Sequence, residues 1–323
     1  MNNILLDALS GARKIAITGH TRPDGDCIGS CMGLYHYIRD NYPGKKTDIF
    51  LEDFADCYRM LQKSDQIRRP DQADPDQAYD LFIVLDCSTQ ERMTEGMKPV
   101  FDKSAMTLNI DHHISNTGYA QENHVDGRAS SASEVLFELL QKDHIQKACA
   151  ESLYMGIICD SGVFKYSQTT EKTMNAAGYL LSRGVDSQKW IDGVFYEKTY
   201  TQNRLMGRAL LESRLTKDGS CIVSCITREI FREYGADRND LEGIVEQMRL
   251  TKGVEVAILV SQTDDQVYKF SLRSKKTVDV NAIAALYGGG GHKMAAGATV
   301  NGPWEPAAEQ MINAVREQLE SHV

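Results

Sequence analysis

The N-terminal half of the chain contains short apolar runs that each end in a small or polar residue. Four of them lie at 14–19 (KIAITG), 47–51 (TDIFL), 80–86 (DLFIVLD) and 106–111 (MTLNID). Helix-like stretches such as 27–40 lie between the runs. Strands that alternate with helical segments are typical of a parallel, doubly wound sheet. The pattern therefore predicts an α/β fold for this half of the chain.

Longer helical patterns follow at 130–142, 146–162 and 169–184. Ser131 is followed three residues later by Glu134, a spacing that predicts a capping box at the start of the first of these helices. We expect these helices to cover the sheet.

The pattern changes again in the last third of the chain. Residues 191–218 have helical character, and from residue 219 onward β-like runs are mixed with helices. This mixture predicts a smaller α+β domain with a mixed sheet. We therefore divide the chain into a first domain at 1–190, a helical connector at 191–218 and a second domain at 219–323. A length of 323 residues allows each domain its own core.

Composition limits the classes of partner. The net charge of −9 argues against a surface that holds long nucleic acid. No apolar run approaches the roughly 20 residues that span a bilayer, so we expect no membrane partner. The chain has eight cysteines without a CxxC pair, and its N-terminus lacks a signal-peptide pattern. We therefore expect a cytoplasmic protein with free thiols.

Side chains that can bind a metal follow three of the predicted strands. His20 follows the first, Asp86 the third, and Asp111-His112-His113 the fourth. Ligands of doubly wound sheets bind at the carboxyl ends of the strands, where these side chains meet. Three more carboxylates lie in the loop after His20 and near the end of a helical run, namely Asp24, Asp26 and Asp160.

The chemistry of this set favours Mn²⁺ or Mg²⁺. It combines carboxylates with imidazoles and includes no thiolate. Each motif alone has a plainer interpretation, because an aspartate after a strand is often a turn residue or a helix N-cap. Together, so many acidic groups at neighbouring strand ends would repel one another without a cation. Two such ions can activate a water molecule and neutralise a phosphoryl oxygen.

The ordered motifs HTRPDGD, VLDCS, NIDHH and ICDSG resemble those of the DHH phosphoesterase superfamily. The C-terminal GGGGHKMAAG resembles the DHHA1 domain that often follows the DHH domain. The two-domain length looks like the NrnA-like group, described as nano-RNases that also act as pAp phosphatases. The resemblance covers essentially the whole chain. It implies a two-domain cleft, two manganese ions and, commonly, a homodimer.

The resemblance also implies roles for individual residues. It places His20 and Asp24 on one manganese ion, Asp26, His112 and Asp160 on the other, and Asp86 as the bridging carboxylate. It further implies that His113 faces the scissile phosphate and that Asp111 orients the triplet. Arg128, shortly after the triplet, is a candidate for charge stabilisation on the phosphate, although a surface arginine would look the same.

The second domain offers candidates for substrate recognition. Four consecutive glycines allow backbone N–H groups to approach a phosphate, and a histidine follows them. The predicted contacts are Gly288, Gly289, Gly290, Gly291 and His292. Arg273, at the end of a strand-like run, provides a bidentate group for a terminal phosphate. We expect the metals to hold one phosphate of a short nucleotide and this domain to hold its other end.

These interpretations predict a phosphoesterase that hydrolyses short oligoribonucleotides to mononucleotides and pAp to AMP. Linear dinucleotides such as pApA and pGpG, and cyclic dinucleotides such as c-di-AMP, are alternative substrates of the same chemistry. A catalytically silent nucleotide sensor is the alternative from another class. A sensor is typically recognised by missing ligands, and none of the expected ligands is missing here.

Overall fold

The computed structural model describes residues 3–321. The chain divides into two compact units, Met1–Glu197 and Lys198–Val323, called unit 1 and unit 2 below. Among the described residues, no helix has both the length and the apolar character needed to cross a bilayer.

Unit 1 is built on a six-stranded sheet in the order β3-β2-β1-β4-β5-β6, with every neighbouring pair parallel. Its strands are β1 (Lys14–Thr18), β2 (Lys46–Phe50), β3 (Ile67–Arg68), β4 (Leu81–Leu85), β5 (Thr107–Asp111) and β6 (Glu122–Val125). Its α-helices are α1 (Ile4–Gly11), α2 (Gly25–Asn41), α3 (Lys98–Lys103), α4 (Ala132–Leu139), α5 (Lys147–Asp160), α6 (Glu171–Ser182) and α7 (Ser187–Ile191). The predicted α/β class is confirmed.

Both faces of this sheet are covered. Ile15 and Ile17 of β1 pack into a large core that includes residues of α2, α4 and α5. Ala16 points to the opposite face, into a smaller core with Val100 and Phe101 of α3. Strands that are buried on both faces must be apolar at successive positions, which explains the continuous apolar runs of the sequence.

Glycines allow three helices to approach one another closely beside the sheet. A Cβ on Gly29 of α2 would lie 2.7 Å from the carbonyl oxygen of Ser152 in α5. A Cβ on Gly156 of α5 would lie 2.0 Å from the hydroxyl of Ser133 and 2.8 Å from a carboxylate oxygen of Asp26. The absence of side chains at these positions lets α2, α4 and α5 share one packed corner.

Unit 2 contains a second six-stranded sheet in the order β11-β12-β10-β9-β8-β7. The β8–β9 pair is parallel and the other pairs are antiparallel, so the sheet is mixed as predicted. Its strands are β7 (Arg214–Leu215), β8 (Cys221–Ile226), β9 (Val256–Asp264), β10 (Val267–Ser274), β11 (Gly290–His292) and β12 (Ala295–Asn301). Its helices are α8 (Tyr200–Leu211), α9 (Arg228–Tyr234), α10 (Ile244–Arg249), α11 (Val280–Ala285) and α12 (Trp304–Glu320).

The stretch predicted as a connector, 191–218, is distributed between the units. A π-helical turn, Asp192–Tyr196, ends unit 1. Helix α8 belongs to unit 2, where Leu205 and Ala209 are fully buried in a core with residues of β8 and β9. An amphipathic helix of this kind cannot be distinguished from a free connector by its own periodicity, because its packing partners lie later in the chain.

Candidate metal centre

Three adjacent strands of unit 1 deliver metal-binding side chains to one edge of the sheet. His20 follows β1 by two residues, Asp86 follows β4 directly, and His112 and His113 follow β5 directly. The order β1-β4-β5 places these strand ends side by side. The predicted convergence of the strand ends is therefore present in the structure.

The loop after His20 leads into α2 and carries two aspartates with different surroundings. Asp24 is the N-cap of α2, and its side chain accepts hydrogen bonds from the backbone N–H groups of Asp26 and Cys27. Asp26 is fully buried, and its carboxylate accepts hydrogen bonds from the N–H groups of Ala132 (2.6 Å) and Ser133 (3.0 Å). These two donors form the N-terminus of α4, where a helix stabilises negative charge.

Asp160 reaches the centre from a helix and not from a strand. It is the last residue of α5, and its Oδ2 lies 3.2 Å from Nε2 of His112. Gly162, Val163 and Phe164 follow it with φ values of 57°, 55° and 63°. Positive φ is costly for a β-branched residue such as Val163, so the turn that follows Asp160 is strained.

The side chains lie at distances that leave room for cations. Nε2 of His20 lies 3.6 Å from Asp24 Oδ1 and 3.5 Å from Asp86 Oδ2, and Nε2 of His112 lies 3.4 Å from Asp86 Oδ1. These separations exceed those of good hydrogen bonds. Among the described residues, Asp86 Oδ1 is buried and has no hydrogen-bond partner. A buried carboxylate oxygen without a donor is the acceptor that a cation would satisfy.

Three sets of ligand atoms among the described residues are each compact enough for one ion. Within each set the ligand atoms lie within 4.8 Å of one another. One set comprises Asp26, His112 and Asp160, another His20, Cys27 and Asp86, and the third Asp86, Asp111, His112 and His113. Cys27 was not among the predicted ligands. Because burial raises the pKa of its thiol, we interpret Cys27 as a small packing residue of the centre.

The electrostatics of the centre show the same need for positive charge. Burial and the negative charge of Asp86 raise the pKa of both Asp26 and Asp160. Burial opposes the ionisation of Asp86 as well, but its contacts with His112 and His20 lower its pKa. Carboxylates this close and this buried repel one another unless a cation neutralises them. The donor set therefore fits divalent metal ions held by oxygen and imidazole nitrogen.

His113 is held in one orientation beside the metal-binding residues. Its Nδ1 lies 2.8 Å from Oδ1 of Asp111, which is fully buried. This hydrogen bond is the main cause that raises the pKa of His113. The side chain is 37% exposed, so the ring is accessible from solvent. A histidine with Nδ1 bound to a carboxylate presents Nε2 to whatever binds next to it.

Arg128 lies on the surface of unit 1, with its side chain 86% exposed. Its guanidinium donates to both carboxylate oxygens of Asp126, at 3.0 and 3.3 Å. An exposed ion pair of this kind contributes little to stability and can be exchanged for another anion. A role in phosphate binding stays a prediction.

The candidates in unit 2 share one face of its sheet. Arg273 of β10 and His292 of β11 are both paired with Ala295 of β12. Because paired residues project on the same face, Arg273 and His292 flank a small alanine. The glycine segment is partly a strand, since Gly290 begins β11, whereas Gly288 precedes it with a φ of 68°.

Two residues beside Arg273 were not found from the sequence. The carboxylate of Glu246 accepts hydrogen bonds from Nε of Arg273 (2.6 Å) and from Nε of Arg249 (3.1 Å). Glu246 thus holds two guanidinium groups next to each other. The sequence separation of Glu246 and Arg273 does not indicate a contact, because β10 brings Arg273 to α10 only in the folded unit.

Comparisons with known proteins agree with this architecture. The model of the DHH family, N-terminal domain, matches residues 14–157, and that of the DHHA1 domain matches residues 218–321. The bifunctional oligoribonuclease and PAP phosphatase NrnA of Bacillus subtilis is 30% identical, over 95% of this chain and 95% of its own. The NrnA of Thermus thermophilus is also 30% identical, over 98% of this chain and 92% of its own. A crystal structure of an exopolyphosphatase-related protein from Bacteroides fragilis, 27% identical, superimposes with a TM-score of 0.83 and covers 97% of this chain and 94% of its own.

Proposed function

The chain belongs to the DHH family and carries a DHHA1 domain, and on this premise we propose that it is a metal-dependent phosphoesterase of short nucleotides. Its proposed reactions are the hydrolysis of short oligoribonucleotides to mononucleotides and of pAp to AMP. Relatives that align over nearly the whole chain carry the names of these two activities.

One observation carries the proposal. The carboxylate of Asp86 is buried, lies 3.5 Å from Nε2 of His20 and 3.4 Å from Nε2 of His112, and its Oδ1 has no hydrogen-bond partner among residues 3–321. A bridging position between two cations accounts for this carboxylate, whereas a structural role would require a donor. The predicted ligands are His20 and Asp24 for one ion, Asp26, His112 and Asp160 for the other, and Asp86 for both.

We propose Mn²⁺ as the metal and Mg²⁺ as the alternative. The proposed ligands are oxygens and imidazole nitrogens, which suit both ions, and imidazole favours Mn²⁺ over Mg²⁺. The chemistry that two such ions supply is Lewis-acid activation of a phosphoryl oxygen and of a water molecule.

The protein's own contribution to the reaction centres on His113. Asp111 orients its ring and raises its pKa, so the imidazolium form is favoured. A protonated Nε2 can donate to a non-bridging oxygen of the phosphate and stabilise the charge that develops there. Arg128 is proposed for a similar contact, because its exposed ion pair can open at small cost.

Unit 2 is proposed to bind the part of the nucleotide that is not hydrolysed. Arg273 and His292 stand on one face of the sheet, and Glu246 fixes Nε of Arg273. The remaining N–H groups of the guanidinium suit a terminal phosphate. The backbone of 288–291 has no side chains that would keep a phosphate at a distance.

The proposal is tested by hydrolysis assays with metal-free protein to which Mn²⁺ is added. The substrates are pAp, linear RNAs of two to about ten nucleotides, pGpG and c-di-AMP, each repeated with chelator. We expect manganese-dependent release of AMP from pAp and of mononucleotides from the shortest RNAs. Longer RNAs should be poorer substrates, since the net charge of −9 repels an extended polyanion.

Other outcomes would redirect the assignment. Hydrolysis confined to c-di-AMP would move the protein to second-messenger turnover. Tight nucleotide binding without hydrolysis of any substrate would support the silent sensor.

Two further proposals concern the state of the protein in the cell. We propose a homodimer on the family resemblance, which sedimentation equilibrium would test. We propose a cytoplasmic location because the sequence holds eight cysteines without a CxxC pair, a pattern that indicates reduced thiols in a reducing compartment.

A further inference from the structure

A partly buried cluster of polar side chains lies next to the metal centre and is used by none of the roles above. It consists of Asn109, Asn116 and Tyr119, called the amide cluster below. We propose that the amide cluster is a positioning device that locks the turn carrying Asp86 to the segment carrying His113. The proposal rests on the metal-dependent phosphoesterase function of the same centre.

The first link of the amide cluster runs to the histidines. Oδ1 of Asp111 accepts hydrogen bonds from the backbone N–H of His112 (2.8 Å) and from Nδ1 of His113 (2.8 Å). The other oxygen, Oδ2, accepts a hydrogen bond from Nδ2 of Asn116 at 2.6 Å. Asn116 therefore holds the carboxylate that orients His113, and it does so from an otherwise exposed loop at 114–118.

The second link runs to the strand that precedes Asp86. Asn109 is fully buried in β5, and its Nδ2 donates to the carbonyl oxygens of Val84 (3.1 Å) and Cys87 (3.3 Å). The hydroxyl of Tyr119 donates to the same carbonyl of Cys87 at 3.1 Å. Asn116 Nδ2 closes the cluster with a hydrogen bond of 2.7 Å to Oδ1 of Asn109.

The turn held in this way has a conformation that needs support. Asp86 has a φ of 53°, a left-handed backbone that non-glycine residues rarely adopt. Its N–H donates to the carbonyl of Ile110 at 3.1 Å, and the amide cluster binds carbonyls on both sides of it, at Val84 and Cys87. Strained residues of this kind persist only where the surroundings fix them. The amide cluster supplies part of that constraint.

Few other side chains could form both links. A carboxylate at either asparagine position would add negative charge next to Asp111. An aliphatic side chain at Asn109 would remove one donor from each of two carbonyls, those of Val84 and Cys87, and would break the link between β4 and β5. An amide provides two donor hydrogens and an acceptor within one flat group, as the cluster requires.

The test compares Asn116→Ala with Asn123→Ala as a matched control. Asn123 lies on β6, where its side chain donates to the carbonyl of Ala120 (2.7 Å) and accepts from the same residue's N–H (3.2 Å). Both variants therefore lose an asparagine that bonds within the same region, but only Asn116 contacts the metal centre. Mn²⁺ affinity is measured by calorimetry on the metal-free proteins, and kcat and KM are measured with pAp.

We expect Asn116→Ala to bind Mn²⁺ about 10-fold more weakly and to lose kcat by a similar factor, the lower end of the range for residues that support a metal site, because Asn116 acts through Asp111. Its KM should change much less, because Arg273 and the glycine segment are untouched. Asn123→Ala should match the wild type in both Mn²⁺ affinity and kcat. Equal losses in the two variants, or an Asn116→Ala variant that matches the wild type, would overturn the proposal.

Tyr119→Phe keeps the test decisive if Asn116→Ala does not fold, because it removes one hydroxyl and no ring packing. We expect a smaller loss of Mn²⁺ affinity from it, and wild-type affinity would count against the amide cluster. The calorimetric comparison needs no substrate. Normal Mn²⁺ binding without hydrolysis by the wild type would overturn the proposed function alone, whereas a wild type without Mn²⁺ binding would overturn both.

Discussion

The substitution Asp86→Asn is the most direct test of the metal centre. Asparagine tolerates a left-handed backbone nearly as well as aspartate, so the φ of 53° at this position adds no strain. The change removes one negative charge that lies 3.5 Å from His20 Nε2 and 3.4 Å from His112 Nε2. The shape of the side chain is kept. Any loss of metal binding therefore comes from the missing charge and the missing second ligand oxygen, and not from a change in side-chain size.

The size of the effect follows from linkage. Mn²⁺ at about 100 times its dissociation constant stabilises the folded protein by roughly 2.7 kcal/mol. For a unit of the size of Met1–Glu197, 1 kcal/mol corresponds to about 2–4 °C, so the wild type should gain roughly 5–10 °C. If Asp86→Asn weakens binding about 100-fold, the same Mn²⁺ concentration adds only about 0.4 kcal/mol. Activity should fall at least about 100-fold.

Asp48→Asn is the matched control. Asp48 lies on β2, its carboxylate is bonded to Tyr79 (2.9 Å) and Arg68 (3.4 Å), and its side chain is 13% exposed. The control should keep the full Mn²⁺-induced rise in the midpoint of thermal unfolding. A rise of equal size in Asp86→Asn and the wild type would refute the bridging role.

Two further predictions concern stability. Burial lowers the pKa of His36 to about 4, so the unfolded chain takes up a proton on this residue at a higher pH than the folded protein does. The free energy of unfolding is therefore unaffected by His36 titration above pH 6.5 and decreases as the pH falls from 6.5 toward 4. Replacement by glutamine should flatten the decline of the unfolding free energy over that interval by up to about 3 kcal/mol in denaturant titrations, and an unchanged slope would contradict the burial argument. In unit 2, Gly289→Ala would place a Cβ 2.2 Å from the carbonyl oxygen of Gly297. It should destabilise the protein by about 1–3 kcal/mol and raise KM for pAp, whereas Gly290→Ala, whose Cβ meets its nearest neighbour at 3.7 Å, should raise KM without destabilising the protein.

The strands found from the sequence are those with enough apolar character to mark them. The run 81–85 is buried at every position and was predicted correctly as a strand. The edge strands Ile67–Arg68 and Glu122–Val125 were missed because they are short and largely polar. Strand Ala295–Asn301 was also missed, since alanine and glycine have low β-propensity, and only its pairing with Val267–Ser274 makes it a strand.

The capping box predicted at Ser131 is only half present. Its side chain accepts a hydrogen bond from the N–H of Glu134 (3.0 Å), as the pattern predicts. The carboxylate of Glu134 instead binds the N–H and hydroxyl of Ser130 and the hydroxyl of Thr173 (2.8 Å). Thr173 lies on another helix, so this competition is a tertiary effect that local spacing cannot reveal.

The metal centre was more accessible to prediction than its supports. Asp86 and His112 follow apolar runs, and ligands of doubly wound sheets bind at the carboxyl ends of the strands. Asn109 lies inside a buried strand, and the sequence does not distinguish a supporting amide there from an isolated buried polar residue. Its partners at Val84 and Asn116 become neighbours only after the sheet has formed. The side chains that converge at the strand ends can therefore be recognised in the sequence, whereas the hydrogen bonds that hold them depend on the fold.

The proposed ligands of the centre are distributed along the chain from His20 to Asp160, on three strand ends and two helices. A growing polypeptide cannot complete the proposed two-ion centre until α5 has left the ribosome, because Asp160, a proposed ligand of the second ion, is the last residue of that helix. The proposed ligands of the first ion, His20, Asp24 and Asp86, are synthesised earlier. We therefore expect the first ion to bind before the second during synthesis.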